Sequence, residues 1–261
     1  MVGMGGGFRV SVRFPVSGVP DLTSIDLGRL GYEAAYAEQC RRVAEVEAGR
    51  ASGGLARGGF LLTVEHDPVI TVSRRAGAAT HLLATPAQLE AAGVKVAETD
   101  RGGDITYHGP GQLVMYPILD INLYNLGVHD YMRLLEDAVI DTCGTFGLAV
   151  GREQGATGVW TAREPRAKVC AMGVRFRRWV SMHGLAINVR TNLSHFGLIV
   201  PCGLVGRGVT SLERELGESC PSMDRVREVL DGALRARLSE AWRVAREKRA
   251  NASATSEPRG R

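Results

Sequence analysis

The thirteen residues from Arg101 to Leu113 read RGGDITYHGPGQL and gather a guanidinium, an imidazole, a phenol and four glycines between two apolar runs. Glycine lets a backbone turn sharply or approach a ligand closely. Arg101, Thr106, Tyr107, His108 and Gln112 surround such a place with polar groups. The segment predicts the floor of a binding site.

A second candidate is Cys202, within Ile199-Val200-Pro201-Cys202-Gly203-Leu204, where the flanking Pro and Gly predict a loop. It reads equally as a nucleophile and as a small buried hydrophobe. Cys40 and Cys143 fall on apolar helix faces, Cys170 falls within a strand and Cys220 sits beside Pro221, so all four read as packing or loop residues. A thiol with a pKa of about 8.5 is mostly protonated at neutral pH and needs a neighbour to react. Three residues offer one. Lys168 heads an otherwise apolar strand, which a snorkelling surface lysine would also explain; His108 and His183 are either bases for Cys202 or ordinary hydrogen-bonding histidines. No metal cluster, serine elbow or Walker loop is present in the sequence. Arg175, Arg177, Arg178 and Trp179 form a basic aromatic knot, suited to an acidic partner, to nucleic acid or simply to a solvated strand end.

These groups must be held by the rest of the chain. Tyr32, Tyr36, Cys40, Val43 and Val46 recur at helical spacing and predict a helix over 32–48. Strands are predicted at 60–64, 69–72, 94–97 and 114–121, with Pro117 placing a bulge or an edge in the last. Thr85, Pro86 and Gln88 form a capping box for a short helix that Gly93 ends. Leu134 to Phe146, closed by Gly147, is a second amphipathic helix. Strands follow at 157–161, 168–175, 179–183 and 185–189, and a last helix spans 226–242. Helix and strand signals without a linker predict a single α/β (α+β) domain over 23–242, a mixed β-sheet flanked by helices.

The formal charge of +4 resides in 243–261, where Arg243, Arg246, Lys248, Arg249, Arg259 and Arg261 outweigh Glu247 and Glu257. That end reads as a solvated, disordered basic tail. Residues 1–22 read as a loose leader with one short strand at Val10 to Phe14. Five scattered cysteines without a Cys-x-x-Cys pair fit a reducing compartment. Without an h-region or a membrane-length apolar run, a cytoplasmic location is expected, with no membrane partner.

Taken together, these residues resemble the octanoyl transferase family of lipoate biosynthesis. The resemblance rests on Arg101 to Gln112, Thr157-Gly158-Val159-Trp160, the strand from Lys168 to Gly173, the run Met182-His183-Gly184-Leu185-Ala186-Ile187-Asn188, and Pro201-Cys202-Gly203. It implies a fold similar to the catalytic domain of biotin and lipoate protein ligases. It also implies that Cys202 carries the acyl group as a thioester and that Lys168 assists it, as a cation or as a base. Arg101, Gly102, Gly103, Asp104, Ile105, Thr106, Tyr107 and His108, then Ala171, Met172 and Gly173, then Gly184, Leu185 and Ala186, would line the substrate site. The implied donor is octanoyl acyl carrier protein. The implied acceptors are lipoyl domains of 2-oxoacid dehydrogenase E2 subunits and the glycine cleavage H protein, with no metal, no cofactor and no nucleic acid. An ATP-dependent ligase of the same fold would not need Cys202, and a noncatalytic acyl-binding module would need neither Cys202 nor Lys168. The chain departs from the family pattern at Asp67, usually Pro or Ala, at Ile70, usually aromatic, and at Ser73, usually glycine, which puts a change in one wall of the acyl pocket and in a nearby turn.

Overall fold

The computed structural model describes residues 9–12, 20–51, 58–200 and 208–255. The first half of the chain forms β1 (Arg9–Val12), β2 (Leu22–Leu30), α1 (Tyr32–Ala51), β3 (Gly59–His66), β4 (Val69–Ser73), α2 (Pro86–Ala91), β5 (Lys95–Thr99), β6 (Ile105–His108) and β7 (Gln112–Leu119). The second half forms α3 (Ile121–Tyr124), α4 (Val128–Thr145), β8 (Val150–Glu153), β9 (Ala156–Thr161), β10 (Ala167–Arg177), β11 (Val180–Asn188), β12 (Gly208–Val209), α5 (Leu212–Leu216) and α6 (Met223–Thr255). The large mixed sheet has the order β1-β2-β3-β7-β11-β10-β9-β8, with β12 added to the head of β10, and a small sheet has the order β5-β4-β6.

Strand alternation divides the core into layers. Along β7, Leu113, Met115 and Leu119 join Leu135, Val139, Leu230 and Leu234 beneath α4 and α6, while Val114, Tyr116 and Ile118 join Val43 and Val46 of α1. A strand covered on both faces reads as an unbroken apolar run. The small sheet has its own core of Ile70, Val94, Ile105, Tyr107, Phe196 and Ile199.

Pro117 is neither on an edge nor in a bulge of its own strand: it pairs with Leu61 in the interior of the sheet. The ladder from β7 to β11 stops at Met115. Beyond it the Ser181 hydroxyl donates to Pro117 O at 2.7 Å and accepts from Leu119 N–H at 3.0 Å, replacing the bonds the ladder lacks there. The strands expected at 179–183 and 185–189 are one strand, and Arg178 and Trp179, at φ 48° and 67°, make the hairpin turn before it. β2 escapes a pattern reading because its register shifts between Asp26 and Arg29. The capping box at Thr85 is formed in full.

The last helix does not stop at 242. It continues to Thr255, so most of the segment expected to be a disordered tail is helical. Arg243 pairs with Glu240 and Glu247 at helical spacing, and the Arg249 guanidinium lies 5.8 Å from the Trp242 ring centroid and donates to Asn122 O and Leu123 O. Such spacing supports a helix by local attraction. The end of the strand expected at Val10 to Phe14 and residues 256–261 of the tail lie outside the described residues.

Opposite β9, β10 carries a bulge: Lys168 pairs with Trp160, and Cys170 pairs with the next residue back, Val159. A bulge sets two residues against one and re-aims the side chains beside it. Val169 and Cys170 both enter the core beneath α4 and α6, which turns Lys168 to the opposite face, that of Ala171 and Gly173. Gly158 makes room for this, at φ +110°, where an added Cβ would come within 2.4 Å of Cys170 O. Its N–H donates to the buried Glu136 carboxylate at 3.2 Å. A Gly158→Ala variant is expected to lose on the order of 3 kcal/mol from backbone strain and overlap. Urea denaturation measures this, and a loss below about 1 kcal/mol would show that the bulge tolerates a side chain.

Candidate active site

Between the α1 face of the large sheet and the small sheet lies a cleft of about 460 Å³. One wall is Val114 and Tyr116 of β7, Gly184, Leu185 and Ala186 of β11 and Ala171, Met172 and Gly173 of β10. The other is Arg101, Gly103, Asp104, Thr106 and His108, with Tyr32 at the start of α1 and His183 completing the ring. Gly173 and Gly102 let these walls meet: Gly102 N–H donates to Val174 O at 2.9 Å, and a Cβ on Gly173 would lie 2.5 Å from Gly102 O.

Not every residue expected at the site faces this cleft. Ile105 and Tyr107 point away, because β6 alternates: Thr106 and His108 line the cleft, while Ile105 and Tyr107 fill the small sheet's own core. Gly102 contributes backbone contacts rather than cleft lining. Ile70 also turns away, opposite Tyr107, so the departure from the family pattern there leaves the cleft wall unaltered. Ser73 ties down the glycine segment through its hydroxyl, which donates to Gly103 O at 2.9 Å. Tyr32, Val114, Tyr116 and His183 line the cleft although their sequence context marked them as core residues or, for His183, as a possible base. Only their convergence from three elements, α1, β7 and β11, reveals them.

The polar groups are bound to one another. Arg101 Nη2 donates to Thr71 O and Thr71 Oγ1 at 3.2 and 3.0 Å, joining the glycine segment to β4. The Asp104 carboxylate accepts from His81 Nδ1 at 2.9 Å, and His81 O in turn accepts Val200 N–H at 2.8 Å. Gln112 Nε2 donates to Asn188 Oδ1 and Tyr107 O, which leaves its Oε1 to accept from His108 Nδ1 at 2.7 Å. His66 Nδ1 donates to Leu30 O at 2.9 Å, so Nε2 accepts the Tyr116 hydroxyl at 2.7 Å. His183 Nε2 lies 2.8 Å from Asp100 Oδ1, and Tyr36 and Arg175 also bind that carboxylate. His108 and His183 are thus engaged with Gln112 and Asp100.

Burial keeps these rings neutral. It pushes His66 down to about 4. His108 falls to about 3, through burial and then the neighbouring His66. His183 also falls to about 3, through burial and then the charges of Arg101 and Arg175. The Tyr116 phenol is raised well above its ordinary value by burial. With Arg101 bound to Thr71 and Asp104 to His81, the neutral rings and glycine backbone of the remaining lining suit an apolar chain better than a charged ligand.

Lys168 is 7% exposed, and its Nζ lies 4.7 Å from the Trp160 ring centroid. It is therefore a buried lysine on the sheet face that carries the cleft, and not a snorkelling surface residue. Val209 pairs with it, and Thr210 N–H donates to its carbonyl at 3.0 Å. Cys202 lies outside the described residues, within a segment bounded by Val200 and Gly208. Cys143, Cys170 and Cys220 are buried in the core, and Cys40 packs against the α1 layer.

The family model for the lipoyl protein ligase A/B catalytic domain matches residues 45–235. The chain belongs to this family. It is 43% identical to the octanoyltransferase of Bacteroides thetaiotaomicron, over 83% of this chain and 95% of that one. It is 47% identical to the octanoyltransferase of Chloroflexus aggregans, over 77% of this chain and 87% of that one. Among solved structures, the bipartite lipoate protein ligase of Thermoplasma acidophilum shares the fold at a TM-score of 0.60 and 17% identity, over 88% of this chain and 91% of that one. A lipoate-protein ligase A bound with ATP gives a TM-score of 0.61 at 17% identity, over 88% of this chain and 93% of that one. Among the described residues, no helix is long and apolar enough to cross a membrane.

The three depressed histidines fix a pH dependence. Their folded values lie below the unfolded value of about 6.5, so the unfolded chain binds more protons as the pH falls through that value. Their stabilising effect is complete above about pH 6.5 and disappears progressively down to pH 3 to 4. Each ring is expected to remove about 2 kcal/mol of stability between pH 7 and pH 5. Urea midpoints at the two pH values test this, and identical midpoints would contradict neutral burial.

Proposed function

We infer that this chain is an acyltransferase that places an octanoyl group on the lysine of lipoyl domains in protein lipoylation, with Cys202 carrying the acyl group as a thioester. The observation that carries this reading is Lys168: a buried lysine turned by a bulge onto the face of an apolar cleft, in a chain that also supplies Pro201-Cys202-Gly203. The donor is octanoyl acyl carrier protein. Lipoyl domains of 2-oxoacid dehydrogenase E2 subunits and the glycine cleavage H protein accept the group, in the cytoplasm and without a cofactor.

The chemistry is two acyl transfers. The Cys202 thiol gives its proton to the Lys168 amine, and the thiolate attacks the donor carbonyl. The carbonyl–sulfur bond to the carrier breaks, and the carrier thiolate leaves with the proton from Lys168. The acceptor lysine then attacks the acyl enzyme, an amide forms, and Cys202 recovers a proton from the incoming amine. Thioester exchange is nearly balanced, while amide formation runs downhill, so no ATP is consumed.

The cleft supplies chain recognition. Six methylenes and a methyl buried at about 0.8 kcal/mol each stabilise the bound chain by on the order of 5 kcal/mol. Arg101, committed to Thr71 and Gly102, is aligned as a strut for the wall and not as a clamp for a free carboxylate. A hexanoyl donor, two methylenes shorter, is expected to fall about tenfold in kcat/KM. Equal rates for the two chains would remove the cleft from the acyl site.

The decisive experiment mixes the protein with octanoyl carrier protein in the absence of ATP and reads intact mass and peptide maps. An octanoyl adduct on Cys202 is expected, absent from Cys202→Ala and formed at least a hundredfold more slowly by Lys168→Ala. Adduct on another cysteine, or adduct only when ATP and free acid are supplied, would overturn the assignment.

A further inference from the structure

A second cleft opens at the head of β10, formed by Thr161, Arg163, Pro165, Arg166, Ala167, Gly208, Val209, Thr210, Arg214 and Glu215, with a volume of about 870 Å³. It lies beside Lys168: Ala167 and Lys168 pair with Gly208 and Val209, and Thr210 N–H binds Lys168 O. Along β10 the order is therefore basic cleft, Lys168, acyl cleft at Ala171 and Gly173. At about 3.4 Å per residue, Lys168 stands roughly 10 Å from Ala171. A continuous set of hydrogen bonds ties the two clefts together, from His108 through Gln112 and Asn188 to the Thr210 backbone, and from the Thr210 hydroxyl to Glu215 at 2.6 Å.

The cations of this second cleft come from two separate segments, the loop between β9 and β10 and α5. Arg163 lies in the loop before β10 and is 73% exposed, Arg166 precedes the strand, and Arg214 belongs to α5. Glu215 is the one acid in the lining; it accepts from Arg163 at 2.6 Å and feels the charge of Arg214 as well. Arg166 is held by Glu153 and Glu164. Within the lining itself three guanidiniums stand beside one carboxylate, and guanidinium is the group best matched to a phosphate by its planar fork of donors.

For a thioester donor whose acyl chain fills the first cleft and whose sulfur lies at Lys168, this second cleft is the next one along β10, beyond Ala167 and Val209. We propose that the cleft bounded by Arg163, Arg166 and Arg214 binds the phosphate ester on the thiol arm that delivers the acyl group. The proposal rests on the reading of Lys168 and Cys202 as the acyl-transfer pair. It makes β10 a ruler with chain recognition at one end, thioester exchange in the middle and anion recognition at the other.

Octanoyl-4′-phosphopantetheine and octanoyl-pantetheine differ only by the phosphate and serve as probes. The wild-type protein is expected to favour the phosphorylated donor by tenfold or more in kcat/KM, and an Arg163→Ala/Arg214→Ala double variant should bring that ratio to within twofold of unity. Arg214→Lys, which keeps the charge, should restore part of the preference, and unchanged circular dichroism would show that the fold is intact. Calorimetry with 4′-phosphopantetheine and with pantetheine reads the cleft without turnover. If no donor acylates Cys202, the acyl-transfer reading fails, while calorimetry still decides the cleft. Equal binding of the two arms by the wild-type protein, a preference that survives in the double variant, or a defect confined to whole carrier protein would each overturn the phosphate assignment.

Discussion

The placement of Lys168 depends on one departure from regular pairing, the extra residue in β10 between Lys168 and Cys170. A strand in regular register would send Lys168 to the same side as Cys170, into the apolar layer beneath α4 and α6. An amine without an oxygen partner in that layer would cost several kcal/mol. The bulge places it on the cleft face, where its Nζ lies over the Trp160 ring. Gly158 permits the close approach of β9, and Glu136 holds that glycine from α4 while pairing with Arg133 and Arg152.

Around this point the cleft keeps polar groups in an apolar setting by satisfying them in pairs. His66 serves Tyr116, His108 serves Gln112, and His183 serves Asp100, whose carboxylate also holds Tyr36. Each pairing orients a ring that burial keeps neutral, so the slot can be rigid around its polar groups. The same bonds connect layers: Gln112 links β7 to Asn188 of β11, and Asp104 links the glycine segment to the turn at His81, which receives Val200. The chain therefore enters and leaves the segment containing Cys202 at two anchored positions, Val200 and Val209.

Much of the architecture could be read from pattern alone. The α1 and α4 periodicities and the capping box at Thr85 correspond to elements in the structure because their signals are local. Signals failed where a contact distant in sequence overrode them. β2 carries a register shift, Pro117 is tolerated in the interior because Ser181 replaces the missing bonds, and α6 outlasts its apolar stripe through its Glu–Arg pairs. Ile105 and Tyr107 were drawn to the site by their place in a motif, whereas strand alternation gives them to the small sheet's core.

The sequence by itself determined which chemical groups are available and in what local setting: a glycine segment carrying Arg101 and His108, a lysine at the head of an apolar strand, and a cysteine between Pro and Gly. It also determined the family, since those motifs recur in order along one chain. Only the tertiary structure decided that Lys168 is buried on the sheet face that carries the cleft, that His108 and His183 are committed to Gln112 and Asp100, and that Tyr32, Val114 and Tyr116 line one cleft with Gly184. The physical reason is that burial and side-chain direction belong to the sheet register. Register follows from pairings between strands far apart in sequence, and a single inserted residue reverses it.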